Sequence, residues 1–239
     1  MAPLPLPLPR APDQTRERLL DAGETLFGRY GYDGVTTRQL AALARVNQSA
    51  IPYHFGGKKG VYLAVAQRIC QATGEQLGRE AQAIHACLSP DITPAEAGDL
   101  LVRLAAHIAR LVFRPEHRGP WYAFLSREML QPGPAFDLLY DQFTAPIHDL
   151  TETLVARMTG QPPTDPGTRL LAHAFHGQLV GFAYGRSALG RRLDWGARDE
   201  LAPVFTPPQV EAVVAAVERF ARITVTGLLA GIAAPPPAP

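Results

Sequence analysis

Along most of this chain apolar residues recur three and four positions apart, the spacing that gathers them on one side of a helix. No segment alternates apolar and polar residues over the length of a strand, and no Asn-Gly or Asp-Gly pair joins two β-branched runs. Helix punctuation is abundant. Asp13 can cap a first helix whose inner face carries Leu19, Leu20, Gly23, Leu26 and Phe27, and Gly31 ends it. Thr36-Thr37-Arg38-Gln39 has the form of a capping box, and Thr93-Pro94-Ala95-Glu96 is a second, with Pro at the first helical position. Asp165-Pro166 and Thr206-Pro207-Pro208-Gln209 open two more helices. These signals predict an all-α fold of about nine helices, at 13–30, 36–44, 47–55, 58–87, 93–114, 120–131, 135–160, 165–189 and 206–231.

The second and third of these are short, and a tight turn joins them. That is the layout of a helix-turn-helix, whose later helix enters the major groove of DNA. Leu40, Ala41 and Ala44 form the inner face of the second helix, and Ile51 and Phe55 that of the third. Gln48, Ser49, Pro52 and Tyr53 then point outward. A Gln can bond adenine bidentately, and a Pro ring or aromatic edge can touch a thymine methyl. Thr36, Thr37 and Arg38 stand at a helix start, where unbonded N–H groups favour a phosphate. Lys58 and Lys59 can add charge.

Composition sharpens this only locally. The 239 residues are 46% hydrophobic, enough for a full core, and the net charge is +1. Residues 1–64 carry 8 Lys/Arg against 5 Asp/Glu, so the basic balance sits with the helix-turn-helix. Two cysteines, Cys70 and Cys87, are too few for a disulfide scaffold and read as small helical packing residues. No run of 18 apolar residues predicts a membrane span, and MAPLPLPLPR lacks the basic start and helical apolar stretch of a signal peptide, so the cytoplasm is the expected compartment. The sequence organises as a Pro-rich disordered tail at 1–12, a DNA-binding domain at 13–62, an effector-binding and dimerisation domain at 63–231, and a second Pro-rich tail at 232–239. The junction is expected inside the fourth helix, near Tyr62 to Arg68.

The segment from Glu24 to Leu63 resembles the DNA-binding domain of the TetR family of bacterial transcriptional regulators. Phe27, Gly31, Tyr32, Thr36, Thr37, Leu40, Ala41, Val46, the Tyr53-His54-Phe55 triplet, Lys58 and Leu63 carry the resemblance. It implies that Gln48, Ser49, Pro52, Tyr53 and His54 belong to the recognition helix, and that Thr37, Arg38 and Lys58 serve phosphates. Pro52 departs from the family pattern. A Pro in a helix interior costs about 3 kcal/mol, so its position within the short helix decides whether it is tolerated.

The stretch RPEHRGPWYAFLSREMLQPGPAFDLLYDQF resembles, more loosely, the C-terminal domain of the CecR-type (YbiH-like) subgroup of the same family, with Trp121, Arg127-Glu128, Pro134 and Phe136 as hallmarks. The resemblance implies repression of transport or efflux genes and release by a small molecule. Physical reading runs alongside. Trp121, Tyr122, Phe124, Phe136, Phe143 and Phe175 could line an apolar cavity, with Arg127, Glu128, His148, His173 and His176 as polar anchors; each aromatic could equally fill a core. His173 and His176 share a helix face, but no third metal ligand is evident in sequence, and neither a metal nor another cofactor is expected. The eighth and ninth predicted helices are mostly apolar, and Gly177, Gly181 and Gly185 recur every fourth residue. They suit a two-fold homodimer, which would present two recognition helices to a palindromic double-stranded operator. A rival reading as an enzyme finds no nucleophile motif or Gly-rich phosphate loop to support it. An activator or broader DNA-binding protein with the same head remains an alternative to a repressor.

Overall fold

The computed structural model describes residues 11–113, 120–195 and 205–233. Every regular element among these residues is helical: α1 (Ala11–Tyr30), α2 (Thr37–Ala44), α3 (Ala50–Phe55), α4 (Lys58–Cys87), α5 (Pro94–Phe113), α6 (Pro120–Leu130), α7 (Phe136–Leu139), a π-helical turn (Tyr140–Thr144), α8 (Ala145–Thr159), α9 (Pro166–Tyr184), α10 (Arg186–Leu193) and α11 (Pro207–Ala233). The chain forms two compact units. Among the described residues the first holds 11–71 and 120–140, the second 72–113, 141–195 and 205–233. The division inside α4 falls after Gln71, slightly beyond the expected stretch, and α6 and α7 belong with the head and not with the second unit.

In the first unit the helix starts follow the sequence signals. The Thr36 N–H donates to Gln39 Oε1 at 2.8 Å, and the Gln39 N–H donates to Thr36 Oγ1 at 3.2 Å, a complete capping box. Gly31 ends α1 at φ +72°, with its N–H on the Phe27 carbonyl. α1 is described from Ala11, two residues ahead of the start expected at Asp13. Leu19, Leu20, Phe27, Val35, Leu40, Ile51 and Val61 are buried. Tyr62 lies edge-on to Phe27 and Tyr32, at 4.8 and 5.0 Å, and 4.5 Å from Phe124 of α6. Where α1 crosses α4 the side chain is missing by design of the sequence: a Cβ on Gly23 would lie 2.9 Å from Val65.

The second unit is built on α5, which packs along α8 and α11. Ile84, Leu101, Leu104, Phe113, Leu154, Phe175, Val214 and Val217 are among its core. The starts of α5, α9 and α11 use the caps read from the sequence. The Thr93 N–H donates to Glu96, the Thr168 N–H to Asp165, and the Thr206 N–H to Gln209. The predicted single helix at 135–160 is instead interrupted by the π turn. Pro146 has no N–H for the carbonyl four residues back, and the wider turn absorbs the loss. The predicted helix at 165–189 divides as well, with α9 ending at Gly185 and α10 following as a separate element.

Candidate nucleic-acid interface

The helix-turn-helix is held by side chains that the sequence reading assigned to other tasks or passed over. Asn47 Oδ1 accepts from both the N–H and the hydroxyl of Ser49 at 3.0 Å, tying the turn to the start of α3. Sequence reading missed this role; an Asn just ahead of a short helix was the available signal. Pro52 is the third helical residue of α3, where its missing N–H is one of the donors that any helix leaves unbonded. The first-turn bonds Ala50 to Asn47 and Ile51 to Gln48 are of the tighter three-residue type. Pro52 therefore breaks no helical bond.

Gln48, Ser49, Pro52 and Tyr53 are all exposed, Tyr53 to 81%. The Gln48 amide donates to Thr37 Oγ1 at 2.9 Å, so two expected contact residues meet, one at the start of α2 and one in the turn ahead of α3, which begins at Ala50 and not at the expected position 47. One N–H and the carbonyl oxygen of that amide remain for a base. His54 is half-buried and lies edge-on to Tyr53 at 4.8 Å, bracing it more than reaching outward. The Thr36 hydroxyl is taken by Gln39. Thr37 and Arg38 hold the first two N–H groups of α2, which lack partners within the helix. Lys58 differs most from expectation. Its ammonium donates to the carbonyls of Tyr32 and Val35 at 3.0 and 3.1 Å and sits 4.2 Å over the Tyr32 ring. It closes the loop between α1 and α2, and one of its three N–H bonds is left for a phosphate.

The expected effector residues are divided between the units. Trp121, Tyr122, Phe124, Arg127, Glu128 and Phe136 lie in the first, and Phe143, Phe175 and His176 in the second. Two of the first group are structural. Phe124 is fully buried against Tyr62. Glu128, 2% exposed, accepts from the Tyr62 hydroxyl and from the N–H groups of Gly133 and Ala135, so its carboxylate is engaged by three donors. Burial and then the adjacent Glu128 push the Tyr62 phenol well above its ordinary range, keeping it a donor. Arg127 donates to the Arg29 carbonyl near the end of α1. Tyr122, Arg127 and Phe136 keep partial exposure. In the second unit Phe175 belongs to the core, and His176 Nε2 meets Thr151 Oγ1 at 2.9 Å. His148 of α8, another expected anchor, stacks on His176 at 4.3 Å and lies 5.8 Å from His173.

A buried three-helix frame that presents the exposed edge of a short helix after a tight turn is a helix-turn-helix DNA reader, here joined to a second helical unit. Residues 19–65 match the model of bacterial regulatory proteins of the tetR family, and residues 97–228 match the C-terminal domain of the HTH-type transcriptional dual regulator CecR. The chain belongs to the TetR family of transcriptional regulators and carries a CecR-type C-terminal domain. It is 34% identical over 191 residues, 79% of this chain and 84% of the relative, to the HTH-type transcriptional dual regulator CecR of Shigella flexneri. A 56-residue match at 34% identity, 23% of this chain and 30% of the relative, links it to the HTH-type transcriptional repressor AcnR of Corynebacterium glutamicum. Among solved structures, a TetR-like regulator from Rhodococcus sp. RHA1 superposes with a TM-score of 0.61 at 19% identity, covering 94% of this chain and all of that one. Its class is that of DNA-binding regulators in a ligand-responsive family, and not of enzymes. Among the described residues no helix is long and apolar enough to cross a membrane.

Proposed function

We propose that this protein is a cytoplasmic repressor that binds a palindromic operator as a homodimer and leaves it when a small apolar or amphipathic molecule binds. The observation that carries the reading is the exposed side of α3 and of the turn leading into it, where Gln48, Ser49, Pro52 and Tyr53 are exposed while Leu40, Ala44 and Ile51 are buried beneath. Gln48 and Tyr53 are the base readers, and the N-terminus of α2 with Thr37 and Arg38 takes a phosphate. Lys58 contributes its remaining donor. Tyr122, Arg127 and Phe136, which keep partial exposure, are the effector contacts favoured within the first unit. A ligand releases DNA only by binding the released state more tightly than the DNA-bound one. Control of efflux or transport genes is the pathway that the CecR-type resemblance supports.

The name of the Shigella relative, a dual regulator, favours a second reading in which the same head activates some promoters. Footprinting on the gene's own upstream region, joined to transcript levels in a deletion strain, separates the readings. A protected palindrome whose downstream transcripts rise on deletion supports repression, and transcripts that fall support activation. Protection of no palindrome there would count against the local-repressor reading.

A further inference from the structure

The structure holds two arginines that the DNA reading above does not use. Arg18 of α1 and Arg45 of the turn between α2 and α3 border the same two surface depressions. One of these, of about 570 Å³, is also lined by Thr15, Asn47, Ser49 and Tyr53. Ser49, the N-cap of α3, and Tyr53 are four residues apart and so lie along one side of the helix, while the Gln48 amide bonds to Thr37. Both arginines are exposed, and among the described residues neither makes an ion pair or a side-chain hydrogen bond. Asp21 borders the second depression, but it is held by Arg68 at 2.7 Å.

Arg45 carries a second observation. Its backbone is left-handed, φ 53° and ψ 47°, and its N–H bonds to Ala41 and Ala42 at the end of α2. A glycine adopts that conformation without the steric cost that a Cβ brings. A long cation is thus kept at a strained position beside the recognition helix, which is a reason to look for its task there.

The geometry points to Arg18 and Arg45 as a basic clamp for the sugar-phosphate backbone of duplex DNA, gripping it beside the Ser49–Tyr53 edge of α3. This rests on the DNA-reading role proposed above. Such contacts position the protein and add counterion release, and they carry no base preference.

The test follows log Kd against log salt, using duplexes that the wild-type protein selects from a random pool. In Arg18→Gln/Arg45→Gln the slope shrinks by about 0.9 for each arginine removed. The order in which the selected sequences are ranked stays the same. Arg45→Lys retains the slope, while Arg45→Gly relaxes the backbone, melts no lower than wild type, and still loses about 0.9. A wild-type slope in both the double variant and Arg45→Gly overturns the clamp and leaves the DNA reader standing. Re-ranking of sequences also overturns it, because it shows a base contact. If the wild-type protein selects no duplex, the reader and the clamp fall together.

Discussion

Glu128 and Tyr62 show how one buried carboxylate is made tolerable. Three donors converge on it, and removing one of them leaves an acceptor without that partner at a side chain only 2% exposed. Tyr62→Phe is expected to destabilise the first unit by about 1–3 kcal/mol, read as a fall in denaturant midpoint. An unchanged midpoint would mean that the hydroxyl contributes nothing. His176 offers a test in pH. Burial first, then the neighbouring His148 and His173, lowers its imidazole from 6.5 to about 3. The folded form thus binds its proton less readily than the unfolded one. The contribution to stability is fully present above about pH 6.5 and is lost as pH falls toward 3, by up to about 1.4 kcal/mol per pH unit. His176→Gln removes that titration, so its unfolding free energy should decline less between pH 7 and pH 5 than that of the wild type. Parallel decline in the two proteins would show that other groups set the acid sensitivity.

At the level of elements, what the sequence made legible was local and what it hid was pairwise. A capping box needs only four consecutive residues, so the starts of α2 and α5 could be read directly, and Asp165 and Gln209 likewise mark α9 and α11. Which helix receives an apolar face is a long-range matter. The sequence left Phe124 open between a cavity wall and a core, because nothing in α6 says that its partner is Tyr62 of α4. For the same reason Glu128 read as a polar anchor, since its three donors lie five to sixty-six residues away. Lys58 read only as a phosphate contact because its acceptors are backbone carbonyls, which no side-chain pattern reveals. Gly98 is a further instance. It sits in a capped, otherwise ordinary helix, yet a Cβ there would stand 2.4 Å from Val225 Cγ1 of α11. Gly98→Val should force α5 and α11 apart and cost about 1–3 kcal/mol, visible as a lower melting temperature. Val225→Ala in the same chain should recover part of that loss by opening space. Without recovery, the close approach is not the cause.

At the scale of the whole molecule, the apolar residues of α9 and α11 divide between a buried and an exposed set. Val213, Val214 and Val217 are buried, while Leu170, Val180 and Tyr184 on α9 and Phe220 and Ile223 on α11 stay exposed, Ile223 to 64%. Gly177 and Gly181 have nothing within 4 Å of where a Cβ would stand. Large apolar side chains beside such flat positions fit a face that a second copy covers, and a stable interface needs about 800 Å² from each partner. Phe220→Glu/Ile223→Glu places two charges in that face and leaves the residues of the second unit's core unchanged. The double variant is expected to sediment as a monomer with its helical circular dichroism intact. Affinity for a full palindrome should then fall to that for a single half-site, because the two recognition helices are no longer tied about 34–36 Å apart. Binding to an isolated half-site should be unaffected, since α3 and its supporting residues are untouched. If the variant remains a dimer at micromolar concentration, the self-association surface lies elsewhere. If it is monomeric yet still prefers the full palindrome as strongly as the wild type does, then symmetric pairing is not how this protein recognises its operator.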